Sequence, residues 1–237
     1  MPLVAVGSYT ATKPIVQTQT AKKNMITFKI KNSMMKSVSL FILCGSVFCN
    51  FSVKAQTAID YYNSAIEKYN LGNYDSAIAD NNKAIAIDPK YKNAYYNRGN
   101  AKKILDDNTG AIEDYTRAIA LDPKFAYAFI NRGSARDNLN DNKGAIIDYN
   151  KAIALNPKIK EAYYNRGSSK YLLKDYKGAI EDYSKCIALD PKNKDAYLYR
   201  GISKILNKDK AGGCTDLNKS KKLGSTDADE QIKAYCK

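Results

Sequence analysis

The chain has 237 residues, with 38 lysines and arginines against 24 acidic residues and a formal net charge of +14 at pH 7. It contains no histidine, which removes the most common general base and the usual partner of a serine or cysteine nucleophile. Residues 1–55 hold seven lysines and no acidic residue, so half of the net charge belongs to a segment that we expect to be removed. The basic composition is therefore weak evidence for binding to nucleic acid.

Residues 34–55 have the pattern of a secretory signal peptide. A lysine precedes an apolar stretch over residues 38–53, and Val53 and Ala55 supply the small residues that a signal peptidase requires. We predict cleavage after Ala55 and export to the periplasm or the medium. An uncleaved membrane anchor is the alternative, but the apolar stretch is short and is interrupted by Ser, Cys and Asn. Residues 1–33 show no periodic pattern and are predicted to be a non-native or disordered extension.

From residue 58 onward, a unit of 34 residues recurs without insertion. Residues 92–125 read KNAYYNRGNAKKILDDNTGAIEDYTRAIALDPKF, and the next two units repeat this sequence almost letter for letter. A fixed period of this length is typical of a solenoid, in which copies of one supersecondary unit stack on each other. We place five units at residues 58–91, 92–125, 126–159, 160–193 and 194–225, within a solenoid domain over residues 56–225.

Each unit contains two helical patterns that are separated by polar residues. In the second unit, Tyr95 and Gly99 lie on one stripe of the first helix, and Ala111 and Tyr115 lie on one stripe of the second. Pro123 closes the second helix, because proline cannot continue the hydrogen-bond ladder. The small residues fall where two helices must approach closely. Each unit is therefore predicted to be a helical hairpin.

These units resemble the tetratricopeptide repeat family. Counted from the first residue of a unit, they hold an aromatic residue at position 4, Gly or Ala at position 8, Ala at position 20 and Pro at position 32. In the first unit, position 24 holds Asn81, where the next three units hold a tyrosine. In the fifth unit, Gly213 replaces the Ala at position 20. The resemblance implies an all-α, right-handed α-solenoid of helix-turn-helix repeats, whose terminal repeats are atypical because they cap the stack.

Residues 226–237 are predicted to form a C-terminal capping helix, with Asp227 and Glu230 in a capping pattern. In an exported chain, Cys214 and Cys236 are a spare pair of thiols, and we predict a disulfide bond between them that ties this helix across the open end of the solenoid. This segment and the end of the signal peptide are similar to those of exported repeat proteins from Bacteroidota. Cys186 takes the small position that Ala holds in other units and is predicted to be a core residue.

The sequence contains no pattern that indicates catalysis. There is no Walker loop, dinucleotide-binding fingerprint or kinase signature, and no Cys-x-x-Cys pair for a metal. The recurring carboxylates are interpreted as solvated or ion-paired. Asp at position 23 and Arg at position 7 are predicted to form ladders of salt bridges between neighbouring helices, with ligand contact as the alternative. We predict that the chain is not an enzyme and has no cofactor and no metal site.

In the tetratricopeptide family, the first helices of successive units line a concave groove. The resemblance implies that positions 2, 5, 6, 9, 12 and 13 point into it. Position 6 carries a ladder of asparagines, and each can pair with the backbone of an extended peptide without reading its side chains. The asparagines of this ladder are Asn63, Asn97, Asn131 and Asn165. The further residues predicted to face the groove are Tyr62, Tyr69, Tyr96, Tyr127, Tyr164, Tyr171, Asn100, Ser134 and Ser168.

The predicted function is a non-enzymatic scaffold or adaptor that holds an extended segment of a protein partner in this groove. The alternative is a polysaccharide- or peptidoglycan-associated module of the envelope, in which the tyrosines stack on sugar rings. Cochaperone members of the family clamp a terminal carboxylate with Lys and Arg at positions 2, 5 and 6, and this chain lacks that clamp. We expect a monomer with no nucleic-acid partner and no membrane span after signal cleavage.

Overall fold

The computed structural model describes residues 57–237, which form helices joined by short turns. The predicted signal peptide and the extension before it lie outside the described residues. The first helix, α1, covers residues 57–70. The others are α2 (Tyr74–Ile87), α3 (Lys92–Ile104), α4 (Asn108–Leu121), α5 (Ala126–Asn138), α6 (Asn142–Leu155), α7 (Lys160–Leu172), α8 (Tyr176–Leu189), α9 (Lys194–Leu206), α10 (Lys210–Lys222) and α11 (Ala228–Tyr235). The prediction of an all-helical solenoid of hairpins is confirmed.

The turn inside a hairpin is built from an aspartate and a glycine three residues later. The Asp107 carboxylate accepts a hydrogen bond from the Gly110 N–H at 2.9 Å, which satisfies one of the free donors at the start of α4. A Cβ atom on Gly110 would collide with this carboxylate, so a larger residue there would displace the capping side chain. The same cap begins α6, α8 and α10. Sequence reasoning had not identified this cap.

Close packing of the two helices depends on glycine at position 8. A Cβ atom on Gly99 would lie 2.8 Å from the Cε1 atom of Tyr115, whose ring is fully buried between α3 and α4. Gly133 meets Tyr149 in the same way in the next hairpin. The prediction that the small residues mark a close approach of two helices is confirmed.

Ion pairs join the helices of each hairpin, as predicted. Each Arg at position 7 contacts the Asp at position 23 of its own unit at 2.5–2.7 Å, and the aspartate side chains are only 1–6% exposed. The cation at position 11, such as Lys102 or Arg136, adds a second contact to the same carboxylate. Arg132 also donates to Thr116 of the preceding hairpin. These charges therefore stabilise the packing within and between hairpins.

The direction of curvature follows from which helices touch. The first helices of successive hairpins contact each other, as α3 does with α5 and α5 with α7. Within residues 57–237, the second helices of successive hairpins make no such contact. The stack is therefore tighter along its first helices, which form the inner, concave side.

The C-terminal helix α11 packs on α10 and α9 and covers the last hairpin with Ala228 and Ile232. The sulfur atoms of Cys214 and Cys236 lie 1.97 Å apart, at bonding distance, and the pairing that was predicted is sterically possible. α11 begins directly after Asp227, as the capping pattern predicted, but the Asp227 side chain makes no hydrogen bond to the start of the helix. No helix in the described part of the chain is long and apolar enough to cross a membrane.

Candidate binding groove

The structure distributes the predicted groove residues between the surface and the interior. Tyr127, at position 2, is 39% exposed, Asn63 is exposed, and Tyr171 is half-buried. The other three asparagines of the ladder and Asn100 are only 3–4% exposed. The predicted sites therefore do not form one continuous open surface.

Three tyrosines that we expected in the groove lie in the interior. Tyr62, Tyr96 and Tyr164 are 0–2% exposed. The ring of Tyr96 lies 4.8 Å from that of Phe125 and 5.9 Å from that of Tyr115, which are the last residue and position 24 of its own unit. Because these neighbours cover position 5, the expectation that these rings line the open groove is wrong. Burial accordingly raises the pKa of Tyr62 to about 12.

Asn131 is part of a polar network that joins two hairpins. Its amide Nδ2 donates to the Tyr96 hydroxyl at 2.9 Å and to the Asn100 Oδ1 atom at 2.7 Å. The Tyr115 hydroxyl donates to the same Asn100 oxygen at 2.9 Å. These bonds tie α5 to α3 and α4. The side-chain amide of Asn131 therefore stabilises the fold, and its Nδ2 atom already has two hydrogen-bond acceptors.

Asn97 and Asn165 differ from Asn131 in the partners that their amides have. Burial raises the pKa of Tyr62 and Tyr149, and a side-chain hydrogen bond from Asn97 to Tyr62 and from Asn165 to Tyr149 opposes that rise. Beyond these phenols, neither amide has a hydrogen-bond partner among the described residues. The hydrogen-bonding capacity of both amides is therefore only partly used.

Two charged residues at position 12 were missed by sequence reasoning. Lys103 is half-buried, and its Nζ atom contacts Ser134 Oγ at 3.4 Å. Burial lowers the pKa of Lys103 to about 8. Asp137 lies at the same position of the next unit and accepts hydrogen bonds from Ser169 and Tyr149, yet burial raises its pKa to about 7. The sequence could have revealed both residues, because position 12 is uncharged in the other units, where it holds Tyr69, Tyr171 or Ile205.

Comparison with known proteins agrees with this architecture. Models of the tetratricopeptide repeat match residues 93–125, 126–159 and 161–193, and a model described as TPR repeat matches residues 67–105. Together they cover more than half of the chain. The chain belongs to the tetratricopeptide repeat family. No curated protein matches it by sequence.

Several solved structures share the fold. MamA is 25% identical, with a TM-score of 0.66 over 73% of this chain and 95% of MamA. YrrB, described as a TPR protein with an unusual peptide-binding site, is 21% identical, with a TM-score of 0.65 over 75% of this chain and 92% of YrrB. PilF of Pseudomonas aeruginosa is 18% identical, with a TM-score of 0.66 over 73% of this chain and 79% of PilF. The family and these neighbours are those of a protein-interaction module.

Proposed function

We propose that this protein is a non-enzymatic scaffold whose concave groove holds an extended segment of a protein partner. The observation that carries the proposal is the pair of buried amides at Asn97 and Asn165, which have no hydrogen-bond partner among the described residues beyond the phenols of Tyr62 and Tyr149. They occupy the same position two repeats apart on the first helices. A peptide backbone offers both a carbonyl acceptor and an N–H donor, which an asparagine amide can satisfy together.

Access to these amides requires a local change. Both side chains are only 3–4% exposed, so a ligand reaches them when a neighbouring side chain turns away. The polar groups of the bound segment then add hydrogen bonds to those that the two amides make with the phenols. The solved structure of YrrB supports the proposal, since that protein is described as having a peptide-binding site on the same fold.

The polysaccharide alternative has less support than the peptide groove. Stacking on sugar rings needs exposed aromatic faces, and three of the tyrosines offered for that role are buried. Tyr127 remains exposed, but no second exposed tyrosine of the predicted set lies beside it.

Selection from random peptides tests the proposal and does not require the natural partner. Twelve-residue peptides are selected from a random phage-displayed library, and the best is synthesised and titrated against variants by fluorescence polarisation. N97A and N165A should each weaken binding by about tenfold, because each removes a hydrogen bond to a backbone group. The matched control is N218A, whose asparagine is exposed on α10, a second helix outside the concave side. Equal affinity in all variants would contradict the proposal.

We also propose that the mature chain is exported and begins at Gln56. The export pattern of residues 34–55 and the spare pair of cysteines, Cys214 and Cys236, support it. Intact mass of the protein recovered from cells, with and without reductant, tests it. A full-length mass with free thiols would exclude both export and the disulfide bond.

A further inference from the structure

Exposed apolar side chains collect at one edge of the solenoid, where the first helix of each hairpin ends. Within residues 57–237, twelve large apolar side chains are exposed, and seven of them lie at position 13 or 14 of a unit. Position 13 is Ile or Leu in the second, fourth and fifth units, and position 14 is leucine in the first four, as Leu71, Leu105, Leu139 and Leu173. We call these seven residues the apolar ridge. Single exposed leucines are normal, but a contiguous apolar surface marks an interaction site.

The apolar ridge is continuous because the turns of successive hairpins touch. Asn138, which lies beside Leu139, donates from its Nδ2 atom to the Asn108 Oδ1 atom in the turn of the preceding hairpin at 2.9 Å. Packed helices lie about 8–10 Å apart, so the apolar residues of one hairpin follow those of the next at roughly that interval. The ridge therefore presents an apolar side chain at every hairpin.

The turns beside the apolar ridge carry opposite charges at its two ends. Positions 15–18 of the first two units hold three exposed carboxylates and no cation, namely Asp75, Asp106 and Asp107. The same positions of the last two units hold four exposed lysines and two capping aspartates; the lysines are Lys174, Lys177, Lys208 and Lys210. The middle unit has one charge of each sign, Asp141 and Lys143. The edge is acidic at its start, balanced in the middle and basic at its end.

These charges are largely unused within one chain. Among those at positions 15–18 in the described residues, only Asp141 has an opposite charge within 4.0 Å, and its partner Arg136 lies at 3.9 Å. They are therefore available to a partner that approaches the apolar ridge.

A second copy of this chain complements the edge in both shape and charge. A two-fold symmetric interface uses the same surface on both subunits. When two ridges meet antiparallel, with the axis at the third unit, the first unit faces the fifth and the second faces the fourth. Acidic turns then oppose basic turns at both ends, whereas a parallel arrangement would oppose like charges. An anionic lipid surface fits less well, since the acidic half of the edge would be repelled.

We propose that two copies of this chain associate through the apolar ridge as an antiparallel dimer, with Leu139 beside its own counterpart at the two-fold axis. Apolar contact supplies most of the affinity, and the charges set the orientation, because exposed ion pairs contribute little and mismatched charges repel. The dimer departs from the monomer expected from the sequence. It does not depend on the proposed function, because no bound segment contributes to the interface.

Analytical ultracentrifugation of the full chain recovered from cells tests the interface. L139S should raise the dissociation constant of the dimer at least about tenfold, because symmetry removes the apolar side chain from both sides of the axis. The matched control is L155S, whose leucine is exposed at the end of α6 and lies outside the ridge. L155S should leave the dissociation constant unchanged.

A charge exchange tests the antiparallel orientation. Asp106 and Lys174 share position 15 and the same backbone conformation, with φ of 61° and 63°, so each site already accepts the residue type of the other. They face each other in the proposed dimer. D106K alone and K174D alone each oppose like charges at two symmetric places and should weaken association about tenfold at low ionic strength. An equimolar mixture of the two variants restores both attractive pairs and should associate like the wild type.

Other results overturn the proposal. A chain that stays monomeric at about 1 mM has no such dimer. A dimer that L139S leaves intact uses another surface. Charge variants that keep full affinity, or that remain weak when mixed, exclude the antiparallel pairing. Open-ended assemblies in place of a dimer would show a head-to-tail contact and not a two-fold one.

Discussion

Replacing Lys103 with methionine should stabilise the protein. The lysine is half-buried, has no carboxylate partner among the described residues, and makes one contact at 3.4 Å to the Ser134 hydroxyl. Methionine keeps much of the packing of the side chain and removes the buried charge.

The pKa of Lys103 sets the size and the pH dependence of this gain. Burial lowers it from 10.5 to about 8, and each pKa unit corresponds to about 1.4 kcal/mol. The unfolded state therefore binds the proton more tightly, and the folded state is destabilised by up to about 3 kcal/mol at pH 7. This penalty is complete below about pH 8 and declines as the pH rises towards 10.5. Near pH 9.5 about 1 kcal/mol should remain.

Urea unfolding followed by circular dichroism measures these free energies. Wild type, K103M and the surface control K151M are compared at about pH 7 and about pH 9.5, and the difference between variants removes the contribution of the tyrosines. We expect K103M to exceed the wild type by about 2–3 kcal/mol at pH 7 and by less at the higher pH. A K103M protein less stable than the wild type at pH 7, or an advantage that does not shrink, would refute the reasoning.

Three further predictions concern the fold. Because burial raises the pKa of Asp137 to about 7, its ionisation destabilises the folded state, so D137N should gain stability relative to the wild type as the pH rises from about 4 to about 8, measured by urea unfolding. R132A removes one of the two cations that contact Asp148, whose side chain is only 1% exposed. It should lower the free energy of unfolding by about 3 kcal/mol. The double variant C214S/C236S should lose about 3 kcal/mol in protein recovered without reductant, and nothing after reduction.

Each of these three predictions has an outcome that would contradict it. A constant difference between D137N and wild type across this pH range would show that Asp137 ionises freely. R132A with wild-type stability would mean that the second cation suffices for Asp148. A cysteine variant as stable as the unreduced wild type would indicate that the thiols are free or that their bond contributes nothing.

The repeat period allowed much of the fold to be predicted. When one unit is copied without insertion, each residue meets the same neighbours one repeat along, so a register position has nearly the same environment in every unit. This is why the hairpins, the close approach at Gly99 and the ion pair of Arg98 with Asp114 followed from the sequence. The capping pattern at Asp227 lies beyond the repeats; it predicted the position where α11 begins, but the side-chain hydrogen bond of such a cap is absent.

The candidate site could be predicted only in part. Register indicates which side of a helix a residue faces, but burial depends on what the neighbouring residues cover. Tyr96 and Tyr127 were both expected in the groove, yet the first is fully buried and the second is 39% exposed. Asn131 and Asn97 share a position, but Asn131 bonds to both Tyr96 and Asn100 of the preceding hairpin. The hairpin before Asn97 offers it Tyr62 alone, because Ile66 stands where the next unit has Asn100.

The sequence by itself determined the helical hairpins, their stacking order and the ion pairs within them, because these depend on residue types at fixed spacings. The tertiary structure decided which polar groups are left without partners. Lys102 and Lys103 are adjacent in the sequence, but a helix turns by about 100° per residue and points them in different directions. Lys102 reaches Asp114 at 3.0 Å, whereas Lys103 lies against a neighbouring helix that offers it a hydroxyl and no carboxylate among the described residues.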